Sequence, residues 1–405
     1  MSSVLAAQSA PRHAWRELWL ITTGHGLTHW YPATFYLLLP LIGNELGLSY
    51  SEIGLVMTCQ FAASAIANIP GGVLVDTVGR KGLLMAASLF WVGFPYLLIS
   101  LTHSYFMLLA CVALVGFGNS LWHPTAIPTL ANRYPQRKGL VLSVHGMGGN
   151  VGDAIAPVVI GAALALFSWR QVVVLNVAPG LVVAVLMFAL LGTVRPAAMP
   201  AAAERQSFAQ YGAGLARLLR NRAVLMLSLG SSFRTMTQTA LLTFLPVYLA
   251  RDMGYAPALV GACLFALQAA GFAAAPVAGH LSDRMGRKQI VIGSMISSAV
   301  VLAGMAFAGA SPVFVALIAV LGFFMYATRP VIQAWLLEAT PRNMGGSSVG
   351  VLFGAQAFGA ALGPWLAGMV ADRHGLLATF YFLAATIVVA NLFVFWTPKV
   401  AEPPR

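Results

Sequence analysis

Long apolar stretches separated by short polar loops run along the whole chain. A transmembrane helix needs about 20 consecutive apolar residues, and twelve stretches of about this length can be delimited. They lie at 17–43, 51–75, 83–101, 105–131, 139–167, 171–193, 223–249, 257–280, 289–309, 312–338, 346–371 and 376–397. The first stretch is too long for the apolar segment of a cleavable signal peptide, and no small-residue cleavage site follows it. The pattern predicts an all-α membrane protein with twelve transmembrane helices, numbered as spans 1 to 12.

The composition agrees with this prediction and excludes a soluble globular protein. Apolar residues make up 59% of the 405 residues and charged residues only 8%, whereas a soluble domain has about 25% charged residues. Cys59, Cys111 and Cys263 all lie within apolar stretches. We interpret them as small core residues rather than disulfide or metal ligands. We expect neither a metal site nor a cofactor.

The net charge of +12 does not indicate nucleic-acid binding, because the basic residues follow the alternation of the loops. If the N-terminus is cytoplasmic, eighteen Lys and Arg residues lie inside, and only Arg170, Arg251 and Arg373 lie outside. This positive-inside pattern predicts a bacterial inner-membrane protein with both termini in the cytoplasm, and it favours anionic lipid at the inner face. We expect the protein to be a monomer.

Two unrelated motifs recur at the same distance along the chain. The motif after span 2 returns after span 8, and the glycine and proline positions of span 5 return in span 11. Each residue of the following pairs lies 207 positions from its counterpart: Gly72 and Gly279, Leu74 and Leu281, Asp76 and Asp283, Gly79 and Gly286, Arg80 and Arg287, Lys81 and Lys288, Gly152 and Gly359, Pro157 and Pro364, Gly161 and Gly368. A shared offset indicates a duplicated chain, which is a common construction of transporters.

The longest polar interruption, 194–222, predicts a cytoplasmic linker between an N-terminal six-helix bundle, 1–193, and a C-terminal six-helix bundle, 223–405. Between Phe208 and Leu219, apolar residues at helical spacing lie beside Arg217 and Arg220. This segment is typical of an amphipathic helix on the membrane surface. A flexible basic linker is the alternative.

The repeated G-x-L-x-D-x-x-G-R-K resembles the cytoplasmic loop motif of the major facilitator superfamily. The elements His123-Pro124, Gly139-Leu140 with Ser143, and Gly148-Gly149-Asn150 with Gly152 are similar to the fosmidomycin-resistance branch of its efflux proteins. The resemblance implies two pseudo-symmetric six-helix bundles facing a central cavity, which is lined mainly by helices 1, 4, 7 and 10. It also implies transport by alternating access.

The same resemblance implies a gating role for the loop motif. Asp76, Arg80, Lys81, Asp283 and Arg287 would act as a latch that holds the cytoplasmic side closed. Asp76 and Asp283 can accept hydrogen bonds from the N–H groups at a neighbouring helix N-terminus. The alternative is that these residues only fix the loop geometry.

The glycine and proline pattern of span 5 resembles the antiporter signature of exporters, although Ala156 and Ile160 stand where glycine is usual. Glycine at this spacing lets helices pack closely, and proline allows a bend. Close packing alone would also explain the pattern.

Polar side chains within the spans are the candidates for the functional site, because they are costly in hydrocarbon. The candidate substrate-binding residues are Arg234, Arg329, His25, His29, Tyr36, Trp122, His123, Gln238, Tyr326 and Gln333. Both arginines keep their protons, and a forked guanidinium suits a carboxylate, phosphate or phosphonate group. The pattern favours an anionic substrate. A structural ion pair between Asp153 and one of the arginines is the alternative.

Proton coupling requires a group that titrates under working conditions. Asp153 is the only carboxylate near mid-membrane, and burial can raise the pKa of such a group. Histidine titrates without assistance, which makes His29 and His123 the other candidates. Related exporters often carry an acid in helix 1, whereas span 1 of this chain has no carboxylate before Glu45.

These observations predict a proton-coupled secondary transporter, in first place an exporter (antiporter) of small organic, anionic or drug-like molecules. The alternative within transport is a proton-coupled importer of organic anions. A membrane-embedded enzyme or a non-transporting sensor is a distant alternative. The chain has no phosphate-binding glycine motif, zinc-binding HExxH pair or G-x-S-x-G motif, so we expect no catalytic residues. The expected partners are the substrate, protons and membrane lipids.

Overall fold

The computed structural model describes residues 12–78, 80–134, 136–191, 216, 218–340 and 345–398. The side chain of Asp76, all of Gly79 and most of the predicted linker, including Arg205 and Tyr211, lie outside this described part. The linker prediction and the role expected for Asp76 therefore remain predictions.

In the residues that the structure describes, twelve long helices follow the order of the predicted spans. They are α1 (Arg12–Glu45), α2 (Tyr50–Val78), α3 (Lys81–Ser100), α4 (Tyr105–Arg133), α5 (Lys138–Ala163), α6 (Trp169–Leu191), α7 (Arg222–Arg251), α8 (Pro257–Met285), α9 (Arg287–Ala308), α10 (Pro312–Glu338), α11 (Gly345–His374) and α12 (Leu376–Phe395). The described residues contain no strand. The all-α fold class is therefore confirmed.

Helix α4 consists of two segments, Tyr105–Asn119 and Trp122–Arg133, separated at Ser120 and Leu121. Pro124 explains the position of the break. A proline cannot donate a backbone hydrogen bond, and its ring collides with the carbonyl four residues earlier, which here belongs to Ser120. The break lies beside His123 and places that residue in the first turn of the second segment.

Eight of the helices are long and apolar enough to cross a membrane by length and composition: α3, α4, α6 and α8 to α12. The other four are α1, α2, α5 and α7, which take part in the contacts between the two halves of the chain. Twelve spans remain our expectation.

Each half is built around a cluster of aromatic side chains. Tyr31, Phe35 and Tyr96 pack together in the first half, with ring centroids 5.2 and 5.8 Å apart. In the second half, Tyr248, Phe314 and Phe380 form a comparable group with centroids 4.8 to 5.2 Å apart. Large apolar side chains on the outside, such as Phe307 and Phe188, are exposed, as expected for a surface in contact with lipid.

In the described part of the chain, the most extensive contacts between the two halves are two helix crossings, α5 with α8 and α2 with α11. In both crossings a glycine of one helix lies against a backbone carbonyl of the other helix, so that a Cβ at the glycine would overlap the carbonyl oxygen. The contacts are Gly161 with Pro257 and Gly261 with Pro157 in one crossing, and Gly368 with Tyr50 and Gly54 with Pro364 in the other.

Every member of the first crossing lies 207 positions from its counterpart in the second. The offset found in the sequence is thus also the offset of the three-dimensional contacts. Both crossings lie at the end of the molecule that holds the turn between α1 and α2, which we call the distal end. The opposite end, which holds the repeated charged motif, is the proximal end. At the distal end the Asp372 carboxylate of α11 also accepts hydrogen bonds from the Tyr50 and Ser51 N–H groups of α2, at 2.8 and 2.9 Å.

Candidate functional site

A cavity of about 280 Å³ lies between the two halves. Its polar lining comes from both halves of the chain: Thr28, His29, Tyr36, Asn119, His123 and Asp153 on one side, and Arg234, Thr235, Gln238, Thr239, Gln268, Arg329 and Gln356 on the other. A larger groove of about 710 Å³ lies at the proximal surface around Asp283 and Arg287. Its charged side chains are engaged in ion pairs or in hydrogen bonds to backbone carbonyls, so the central cavity is the better candidate for a binding site.

The cavity brings together seven of the predicted residues: His29, Tyr36, His123, Asp153, Arg234, Gln238 and Arg329. Gln268 on α8 and Gln356 on α11 also line it and were not predicted. Both are polar residues within an apolar helix, so the same signal could have found them. They were missed because the expected lining came mainly from helices 1, 4, 7 and 10.

Four other predicted residues lie outside the lining. Trp122 is fully buried, and its indole packs against Gly24 of α1. His25 is buried behind His29. The Tyr326 ring lies on Gly271 of α8, where a Cβ would come within 2.7 Å of the ring. Gln333 is half-buried and also lies outside the set of lining residues.

The side chains of His29 and Asp153 contact each other at the wall of the cavity. The distance between His29 Nδ1 and Asp153 Oδ2 is 2.9 Å, and the two side chains are 28% and 30% exposed. Glycines on the facing helices permit this approach, because a Cβ at Gly149 of α5 would come within 3.0 Å of the His29 ring. In the described part of the chain Asp153 therefore pairs with a histidine, and the alternative pairing with an arginine is not observed.

The two arginines present their charge to the cavity in different ways. Arg234 is only 3% exposed and donates hydrogen bonds to Gln238 Oε1 at 3.1 Å and to the Met325 carbonyl at 3.5 Å. Arg329 is exposed in the cavity wall. Neither guanidinium lies within 4.0 Å of a carboxylate among the residues that the structure describes. The cavity therefore carries an excess of positive charge.

The second copy of the charged loop motif makes contacts within its own half. Arg287 pairs with Asp283 at 2.5 Å and with Glu338 at 3.0 Å. The Lys288 ammonium donates to the carbonyls of Phe395 and Thr397 at 2.6 and 2.8 Å. These contacts hold α8, α9, α10 and α12 together.

The first copy offers less information. Arg80 is exposed and Lys81 half-buried, and the side chain of Asp76 is outside the described part. The gating role therefore stays a prediction for Asp76, Arg80 and Lys81. For Asp283 and Arg287, the ion pairs within the second half agree with the alternative that they fix the geometry of one half.

Comparison with known proteins places the chain in a family. The sequence model of the Major Facilitator Superfamily matches residues 18–273 and 227–405. The chain therefore belongs to the Major Facilitator Superfamily and is a membrane transporter rather than an enzyme.

The chain is similar to two curated relatives and to one solved structure described below. The chain is 26% identical to the hexuronate transporter of Bacillus subtilis, with 90% of each chain covered. It is 25% identical to the fosmidomycin resistance protein of Escherichia coli, with 98% of this chain and 96% of the relative covered. The crystal structure of a bacterial homologue of the lysosomal transporter Spinster, inward-facing and unoccupied, matches with a TM-score of 0.77 at 19% identity and covers 96% of both chains. This last similarity supports the fold alone, and the predicted resemblance is confirmed at the level of the superfamily.

Proposed function

We propose that the protein is a proton-coupled secondary transporter of small organic anions, and that the anion and the proton bind together in the central cavity. The observation that carries the proposal is the pair of guanidinium groups, Arg234 and Arg329, which face the cavity without a carboxylate partner among the described residues. A carboxylate or phosphonate group of a substrate supplies the missing negative charge. Forked hydrogen bonds from a guanidinium then orient it.

The size of the cavity suits a small substrate. A volume of about 280 Å³ is close to the lower limit of about 300 Å³ for ligand pockets. The amides of Gln238, Gln268 and Gln356 and the hydroxyl of Tyr36 surround it and supply hydrogen bonds for hydroxyl groups. The hexuronate transporter relative has an anionic sugar in its name, which agrees with this chemistry.

The His29–Asp153 pair is the proposed proton site. Adding one proton to the pair raises its charge by one, wherever that proton resides, and so makes the cavity more favourable for an anion. Two unit charges about 8 Å apart, the width of a spherical cavity of this volume, interact by about 2 kcal/mol at an effective dielectric constant of about 20. Proton binding should therefore strengthen anion binding about thirty-fold.

Because proton binding strengthens anion binding, the proposed site favours symport over antiport. An antiporter requires the proton and the substrate to compete, whereas a proton and an anion in one cavity attract each other. Export by antiport remains the second candidate, since the fosmidomycin resistance protein matches 98% of this chain. We therefore place uptake of organic anions first and efflux second.

The proposed orientation puts the proximal end in the cytoplasm, together with both termini and the 194–222 linker. The distribution of basic residues supports it, because Arg80, Lys81, Arg287 and Lys288 all lie at that end. In this orientation the described conformation is closed toward the outside by the two glycine crossings. Transport then requires those crossings to separate.

Purified protein in liposomes tests the proposal. A labelled hexuronate is added to vesicles with an imposed pH difference, and the side on which it accumulates is measured. Symport predicts accumulation on the alkaline side, and antiport predicts accumulation on the acidic side, whatever the orientation of the protein. Protein-free liposomes control for passive diffusion. An absence of protein-dependent movement for hexuronate and for fosmidomycin alike would refute the anion-transport proposal.

A further inference from the structure

Three histidines from three helices meet beside the central cavity. His25 lies on α1, His123 on α4 and His145 on α5, and one ring nitrogen from each lies within 4.8 Å of the other two. The His25 and His145 rings stack with their centroids 4.0 Å apart, and the His25 and His123 rings meet edge to face at 5.1 Å. We call these three residues the histidine triad.

A hydrogen bond of His25 determines which of its ring nitrogens carries the lone pair. Its Nδ1 lies 2.7 Å from the His145 carbonyl oxygen. A carbonyl can only accept, so Nδ1 donates its proton and Nε2 of the neutral ring carries a free lone pair. A histidine that binds a metal through one ring nitrogen usually donates the N–H group of its other ring nitrogen to a carbonyl or a carboxylate. His25 has this arrangement.

The triad also contains buried nitrogen atoms that lack a hydrogen-bond partner among the described residues. They are His25 Nε2 and both ring nitrogens of His145, and His25 and His145 are only 5% and 3% exposed. Buried polar atoms without a partner are uncommon and require an explanation. His123 is exposed at the cavity, which provides an access route to these atoms.

We propose that the histidine triad binds one divalent transition-metal ion of the zinc class, through His25 Nε2 and one ring nitrogen each of His123 and His145. Three neutral imidazoles suit zinc, copper, nickel or cobalt and disfavour magnesium and calcium. The fourth position faces the cavity and is open to water or to another ligand, as in three-histidine zinc sites.

The site requires a small contraction on binding. Nitrogens that are about 2.1 Å from a tetrahedral ion lie about 3.4 Å from each other, whereas the present spread reaches 4.8 Å. The stacked His145 ring must rotate so that the lone pair of one ring nitrogen points at the same ion as the lone pair of His25 Nε2. In the part of the chain that the structure describes, neither ring nitrogen of His145 is held by a hydrogen bond, so this rotation breaks none there.

The proposal is independent of anion transport, and it was not predicted from the sequence. His25, His123 and His145 are far apart along the chain and form no spacing motif for a metal. Their proximity depends on the packing of α1 against α5, where Gly26 and Gly148 allow the backbones to approach.

Cobalt binding to the purified full-length protein tests the proposal. The affinity tag is removed first, because a polyhistidine tag binds cobalt itself, and the protein is then treated with a chelator and dialysed. Titration with Co²⁺ should produce the visible absorption of a tetrahedral cobalt site and saturate at about one ion per chain. Added Zn²⁺ should displace the cobalt and abolish the absorption.

Substitutions distinguish the triad from other histidines. Loss of the hydrogen bond that orients a metal ligand lowers metal affinity about 10- to 100-fold. Removal of the ligand itself in His123→Ala or His145→Ala should therefore lower the affinity by at least 100-fold. His280→Ala removes an exposed histidine of α8 and should have no effect. Because His123 is exposed, the His123→Ala variant should fold, and its metal affinity can be measured even if His145→Ala does not fold.

Two results would overturn the proposal. One is the absence of stoichiometric Co²⁺ binding to the parent protein. The other is an unchanged affinity in folded His123→Ala. Neither result bears on anion transport, because binding is measured without substrate or a membrane gradient.

Discussion

Substitution of Gly161 by alanine should open the distal end of the molecule. Gly161 lies where α5 crosses α8, and an added Cβ would lie 2.6 Å from the Pro257 carbonyl oxygen and 3.1 Å from Ala258 Cα. Carbon atoms in good contact are about 3.5 to 4.0 Å from their neighbours. The obstructing atoms are backbone atoms that cannot rotate away, so the two helices must move apart.

The size of the effect follows from the cost of this overlap. Overpacking of a well-packed interface costs about 1–3 kcal/mol, and separation of the halves at the distal end relieves it. The equilibrium between distal-closed and distal-open conformations should therefore shift toward the open one by about 5- to 150-fold. Alanine also favours the helix over glycine by about 0.8–1.0 kcal/mol. That gain is equal in both conformations and cancels.

Gly146 provides the matched control on the same helix, because a Cβ there meets nothing within 4 Å. Spin labels at positions 101 and 310, which follow α3 and α9 at the distal end and are exposed, report the separation of the halves. Gly161→Ala should add a population at longer distance, and Gly146→Ala should leave the distribution of the parent. Equal distributions for the two variants would refute the assignment of Gly161 to the closed contact.

Three further substitutions test the cavity and the distal contact. Asp153→Asn should abolish accumulation driven by a pH gradient while exchange of labelled for unlabelled anion continues; full accumulation would exclude Asp153 as the proton site. Arg329→Lys keeps the positive charge but loses the forked guanidinium. Because a charge-assisted hydrogen bond contributes about 1.5–3 kcal/mol, the affinity for the anion should fall about 10- to 100-fold. The affinity for a neutral analogue should stay unchanged. Asp372→Asn weakens the two hydrogen bonds to Tyr50 and Ser51 and should lengthen the same distal distances as Gly161→Ala; unchanged distances would show that the glycine crossings suffice for closure.

The helical architecture could be predicted from the sequence because its signals are visible along the chain. Apolar stretches of membrane length mark the helices, and the offset of 207 positions marks the repeat. Gly161 and Gly368 were identified from that offset, and they occupy equivalent places in the two crossings. The reason is physical: a glycine that supports a backbone contact cannot be replaced without separating two helices.

The orientation of single side chains could not be predicted in the same way. Trp122 and His123 are neighbours, yet Trp122 is fully buried while His123 lines the cavity. The rotation of the second segment of α4 decides between them, and it depends on the break that precedes Pro124. The pairing of Asp153 with His29 likewise depends on how closely α1 approaches α5, which spacing along the chain does not encode.

The pH dependence of anion affinity tests the central claim most directly, because that claim links the charge of the His29–Asp153 pair to binding at Arg234 and Arg329. The dissociation constant of a hexuronate is measured as a function of pH, over a range in which the hexuronate stays ionised, for the parent and for a variant that combines His29→Gln with Asp153→Asn. The account predicts that the parent binds the anion about thirty-fold more tightly once the pair has gained a proton, and that the variant shows no such change. An affinity in the parent that is independent of pH, or that weakens as the pH falls, would contradict the account.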